Sequence, residues 1–361
     1  MLATEGSHHT ITLVASILFI SIESLQGDLV TASRHIFSAF SIAAEASALN
    51  QSVAQRLPID DELVDTLYGL EFQSKLPNFY APVQPQNSVP TVLSMIPLLP
   101  TPSIPTIFQT LGSSKTSLDC IMHYISYYHT KRPQMLESRN AASRKHLTLL
   151  KEWEAAFLGL DQKVNQFAMT GKSHLQGNKN RIAHLILAST HALALIIVKS
   201  DAARCSEMFY DTLKPHFQQI INCSKGVMDT MSFDPLPNFV FEVGLLPPLH
   251  IAAMKCREPA LRREAIGLLR AFPGQEGVWE GYGCAEACEW IMRIEESGGA
   301  SELGRSIDLT AEEARMIPEW DRVRLSSMVC WLNESRIWAQ CTSVLPITHG
   351  SHKVWERTFM W

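Results

Sequence analysis

Between Pro247 and Leu269 the chain carries two short apolar stripes that are buried together only if it bends back on itself. Leu249, Ala252, Ala253 and Cys256 recur at one helical phase, and Leu261, Ala265, Leu268 and Leu269 at another. Pro259 falls between them, where its missing N–H does no harm in the first turn of a helix, and Pro273-Gly274 after Phe272 supplies a stop. The pattern predicts a helical hairpin that wants a core on each face. Arg257, Arg262, Arg263 and Arg270 make it locally basic. Glu258 and Glu264 interleave with them, however, and no aromatic ring lies between the arginines to stack on bases. The arginines are read as a solvated or ion-paired surface and Cys256 as a core thiol.

The amino-terminal run Ile11 to Ile22 is almost continuously apolar but too short to span a bilayer. Glu5 is the only charge among the first ten residues, so the positive n-region of a signal peptide is missing, and no clear cleavage site follows before Glu23. The expectation is a buried helix that turns at Gly27-Asp28 and pairs with a second helix through Ala32, His35, Ile36, Ala39 and Phe40. From Pro77 to Pro105 eight prolines exclude a continuous helix. Val92-Leu93-Ser94-Met95-Ile96 and Leu98-Leu99 are too apolar for a freely solvated spacer, so this stretch is read as a strap lying against its neighbours.

Further helices are expected at Ile107 to Lys131, Ser138 to Met169, Lys179 to Lys199, Ala202 to Cys223 and Val278 to Glu296, with a short capped one at Ala311 to Met316 after Thr310. Strand signals are sparse. The fold class is therefore all-α, an array of packed helical hairpins with a proline-rich internal strap. It divides into residues 1–76, the strap 77–105, and a main helical domain 106–361, with one continuous fold as the alternative. A 46% hydrophobic content is enough for a sizeable core, and a net charge of −5 gives no global positive field to draw a phosphate backbone. Scattered cysteines without a framework spacing fit a reducing compartment, and no disulfides are expected.

Several segments, in order, carry a resemblance. They are Ala15 to Asp28; Leu150-Lys151-Glu152-Trp153-Glu154-Ala155-Ala156-Phe157; Lys255-Cys256-Arg257 with Arg262-Arg263-Glu264-Ala265-Ile266; Glu276-Gly277-Val278-Trp279; Ile317-Pro318-Glu319-Trp320-Asp321-Arg322-Val323; and Trp355-Glu356 to Trp361. Each is modest alone. Their order over nearly the whole length resembles the carboxy-terminal regulatory region of fungal zinc binuclear cluster (six-cysteine) transcription factors. The resemblance implies a nuclear regulator of a metabolic or secondary-metabolite gene cluster. Its implied partners are proteins of the transcription machinery or further copies of itself. The alternatives are a helical protein-interaction scaffold with no direct transcriptional role, and a cytoplasmic location.

The family's defining module is absent. The eight cysteines are Cys120, Cys205, Cys223, Cys256, Cys284, Cys288, Cys330 and Cys341, and no two have the spacing of a zinc knuckle. The chain is either a piece that begins inside the family's length or a variant without the DNA reader, and no direct DNA binding is expected of it. Catalytic and cofactor readings each lack a part. Gly171-Lys172-Ser173 has Gln166 where a phosphate loop needs its leading glycine. His184 and His191 are two turns apart, too far to share an ion, and Cys284 and Cys288 find no second pair, so both sets are read as ordinary core residues. His8-His9 and His349 with His352 are weaker still. No catalytic residue, cofactor, metal site or membrane contact is predicted. Trp153, Trp279, Trp290 and Trp320 are read as core; Trp355 and Trp361 mark a partner surface if they are exposed.

Overall fold

The computed structural model describes residues 2–26, most of 31–42, and 101–131, 136–168, 174–203, 206–231, 239–240, 244–277, 279–298, 317–331, 334–346 and 351–360. The fold is mainly helical, as the periodicity predicts. In chain order the long helices are α1 (Leu2–Gln26), α2 (Leu111–Lys131), α3 (Leu136–Ala168), α4 (His174–Ala203) and α5 (Lys214–Met231). The predicted hairpin is α6 (Leu246–Lys255) and α7 (Pro259–Ala271), and α8 (Gly281–Glu296) packs across both. The strap from 77 to 100, the Gly27-Asp28 turn, Phe40, Gly171-Lys172-Ser173, the short helix at 311–316 and Trp361 lie outside the described residues.

Helix α3 is organised by Trp153, whose indole stacks on Phe157 at 4.6 Å and on His191 of α4 at 5.1 Å. Its N–H donates to the Ser114 carbonyl of α2 over 2.9 Å, so one side chain joins three helices. Among the described residues one helix, within Gly177–Asp201, is long and apolar enough to cross a membrane. The reason for its composition is packing: Ala192, Leu193, Ala194, Ile196, Ile197 and Val198 are buried in the common core.

The reading of one helix from Ala202 to Cys223 is corrected. Ser206 accepts from the Met208 amide and opens a 3-10 helix, Glu207–Leu213, before α5 begins at Lys214 with Pro215 in its first turn. The second correction is the sheet. Strands β4 (Val323–Trp331), β5 (Arg336–Ser343) and β6 (Val354–Met360) form an antiparallel sheet in that order, laid on α8 through Leu325, Ile337, Ala339, Cys341 and Phe359. A minor sheet pairs β1 (Phe239–Val240) with β2 (Gln275–Glu276) and β2 with β3 (Trp279–Glu280).

The third correction concerns α1. It is helical, but only part of its apolar surface is covered: Leu13 and Ile20 are buried, with Ala32, Ile36 and Ala39 of the following helix, while Ile11, Val14, Leu18, Phe19 and Ile22 face outward. Trp153 and Trp279 are core and Trp290 and Trp355 pack at its edge, but Trp320, read as core, is 59% exposed.

Candidate functional site: a buried ionic joint

Helix α6 is anchored at both ends by carboxylates from elsewhere in the chain. At its start Leu245 has no side chain able to cap, and Glu276 of β2 takes over. Its carboxylate accepts from the amides of Gly244 at 3.2 Å, Leu245 at 2.8 Å and Leu246 at 2.8 Å. Burial pushes the Glu276 carboxyl up to about 7, against the pull of the three amides. A side chain on Gly244 would collide with this carboxylate, which explains the glycine.

The other end of α6 runs into the densest set of charges among the described residues. Lys255 Nζ donates to both oxygens of Glu207, at 2.9 and 3.1 Å. Arg257, two residues on, lies 3.2 Å from Glu207 and 2.8 Å from Glu295 of α8. Arg262 of α7 holds the other Glu295 oxygen at 2.6 Å and donates through Nε to the Ala253 carbonyl at 2.9 Å. From the sheet side, the Val323 amide donates to Glu295 at 2.9 Å, and Arg324 reaches Glu207 at 3.1 Å. Arg322, wholly buried, binds the Glu207 carbonyl, Asp211 and the Ile317 carbonyl. Glu319 accepts from the Glu207 amide at 3.2 Å. The 3-10 helix, the α6–α7 hairpin, α8 and the start of the sheet therefore meet at one ionic joint.

Burial pushes the Glu207 carboxyl up, but the ammonium of Lys255 and the guanidinium of Arg257 outweigh it and hold the group down at about 2. Glu295 is likewise held below its ordinary range by Arg257 and Arg262 despite full burial. Burial also lowers Lys255, with Glu207 opposing, whereas for Arg257 the two glutamates more than offset burial and raise it. Desolvation makes such a network a poor source of net stability, and its value is geometric: each charge accepts only the arrangement that pairs it.

The placement of Arg257 and Arg262 at the surface is thereby corrected; both are buried. Arg263 and Arg270 do lie at the surface, paired with Glu296 and with Glu286 and Glu289. Glu258 caps α7 by accepting from the Leu261 amide, and Glu264 pairs with Lys225. Cys256 is core, as expected.

Cys288 Sγ and His250 Nδ1 come within 3.5 Å, beside Trp279. Burial pushes the thiol up to about 12 and the imidazole down to about 4, which favours the neutral thiol beside a neutral ring. Cys284 is buried one turn away. Among the described residues no three His, Cys, Asp or Glu side chains are grouped to hold a metal ion. His184 stacks on Phe157 and His191 on Trp153, and His352 bonds the Ser343 carbonyl.

Glu207, Asp211 and Glu295 were not singled out by the residue pattern, because nothing local to them announces a partner up to 117 residues away. The usable signal was indirect: Lys255-Cys256-Arg257, Arg262 and Arg322 sit in the segments that carry the family resemblance. No protein-family profile, curated protein or solved structure matches the chain.

Proposed function

We propose that this chain is the regulatory region of a fungal zinc binuclear cluster transcription regulator, working in the nucleus through protein contacts and not through a DNA-reading module of its own. The observation that carries the reading is the ordered series of sequence segments, from Ala15 to Trp361, that resembles that region. A physical coherence supports it. Two of the segments, Lys255-Cys256-Arg257 with Arg262-Arg263-Glu264-Ala265-Ile266 and Ile317 to Val323, meet at the ionic joint. The reading assigns no catalytic residue.

The second reading is a helical interaction scaffold with no transcriptional role; Trp320, exposed beside the joint, is of a residue type enriched among interface anchors and fits either reading. Fusion of the full chain to a foreign DNA-binding domain separates the two. The regulatory reading expects a reporter under that domain's sites to change several-fold, upward or downward, in a fungal host. A fusion that is nuclear, folded and without effect on the reporter across growth conditions sinks it in favour of the scaffold.

A further inference from the structure

The interior of the ionic joint holds more positive than negative charge. The side chains of Lys255, Arg257, Arg262 and Arg322 are no more than 2% exposed, and among the described residues the only carboxylates buried with them are Glu207 and Glu295. Glu276, the other buried carboxylate, lies at the far end of α6, roughly 14 Å away along the helix axis. At the rim Asp211 and Glu319 add two negative charges and Arg324 one positive, which leaves one positive charge unbalanced. Asp321 does not join them, because its buried Oδ1 meets no donor.

The same cations have hydrogen-bonding capacity left over. Arg257 and Arg262 grip the two oxygens of one carboxylate, Glu295, at 2.8 and 2.6 Å. Yet Arg257 Nε and Arg262 Nη2 are buried and, among the described residues, have no acceptor. Unfilled N–H groups on a buried cation are costly, and native interiors fill them. A water molecule would fill them but leave the charge. Burial favours loss of the Lys255 proton, with Glu207 opposing and Arg257 and Arg324 assisting. That loss would cancel the charge but fill neither N–H group. A bound anion does both.

We propose that the joint binds one small monovalent anion, chloride among those abundant in a cell, at the unfilled N–H groups of Arg257 and Arg262. The inference stands independently of the transcriptional reading. A single-atom anion suits so few donors. Phosphate or sulfate would carry four oxygens into a space closed to water, most of them without a donor. The site exists only when α6, α7 and α8 are packed together, so the anion binds the native state alone and stabilises it.

Urea unfolding of the full chain at fixed ionic strength, with chloride exchanged against gluconate, tests it. The midpoint should be flat at low chloride and then climb with the logarithm of its concentration, as for any ligand of the native state alone. Screening predicts no difference between the two salts. Arg262→Lys keeps the charge but loses the unfilled Nη2, and the climb should begin at least tenfold higher in chloride. Arg263→Lys, at the surface, should leave it where it is. Crystals of the parent chain soaked in bromide locate the ion without any variant: anomalous scattering at the bromine edge should peak within hydrogen-bond reach of Arg257 Nε and Arg262 Nη2. A midpoint indifferent to the exchange, an Arg262→Lys chain with the parent's chloride dependence, or water without bromide at these atoms overturns the proposal.

Discussion

Glu295 is the residue on which the joint turns, because its two oxygens hold two guanidinium groups and a strand amide in a space closed to water. Glu295→Gln keeps the size but removes the charge, leaving Arg257 and Arg262 buried without it. The expected loss is about 3–5 kcal/mol of unfolding free energy, read from the urea midpoint. Arg263→Ala is the control: its pairing with Glu296 is half exposed, and the cost should stay within about 1 kcal/mol. If the two variants behave alike, the joint is not a desolvated network. The contrast shows why Arg257 and Arg262 were misplaced by sequence reasoning while Arg263 and Arg270 were not. Four arginines on one hairpin look alike locally, and which are buried depends on where Glu207 and Glu295 arrive from.

At the scale of elements, two glycines in neighbouring helices carry opposite consequences. Gly267 lies inside α7 with open space where a side chain would be, so Gly267→Ala should stabilise by about 0.5–1 kcal/mol through helix propensity. Gly281 opens α8, and a Cβ there would come within 2.5 Å of the Leu269 carbonyl oxygen, a backbone atom that cannot step aside. Gly281→Ala should cost more than about 1 kcal/mol, and thermal melts of both variants should move in opposite directions. The helices themselves were legible, since α2, α3, α4 and α6 to α8 follow apolar periodicity and bounding prolines or caps. The sheet was missed although β5 alternates buried Ile337, Ala339, Cys341 and Ser343 with half-buried Arg336, Trp338, Gln340 and Thr342. Its inward residues include small Ala339 and polar Ser343, so hydrophobicity alone did not mark the period of two. The apolar run of α1 was misread for the converse reason: a helix apolar on several sides does not say which of them the fold will cover.

At the scale of the whole molecule, buried acids and histidines shape stability against pH. Glu207, held at about 2 against an unfolded value of 4.5, contributes stability that is present above about 4.5 and is lost as pH falls towards 2. His250, lowered to about 4, stabilises above its unfolded value of 6.5, and that contribution is lost as pH falls towards about 4. Glu276, raised to about 7, acts in the opposite sense: its contribution is present below about 4.5 and is lost as pH rises to about 7. Between about 4.5 and 6.5 the slope of Glu276 opposes that of His250 and those of His191 and His216, both also lowered by burial, so the urea midpoint should climb only gently with pH there and fall steeply in stronger acid. Glu276→Gln removes the opposing slope, and its midpoint should climb more steeply with pH through that window than the parent's; an unchanged profile in the variant would refute the assignment. The joint also sets a condition on how the molecule is made. Glu207, Lys255, Arg257, Arg262 and Glu295 leave the ribosome before Arg322, Val323 and Arg324 exist, and the strands that cover α8 come after the helices. During synthesis the helical body therefore waits with part of its charge and apolar surface uncovered. Residues 322–360, arriving over a few seconds at ordinary elongation rates, bring the partners that complete the joint and the strands that cover α8.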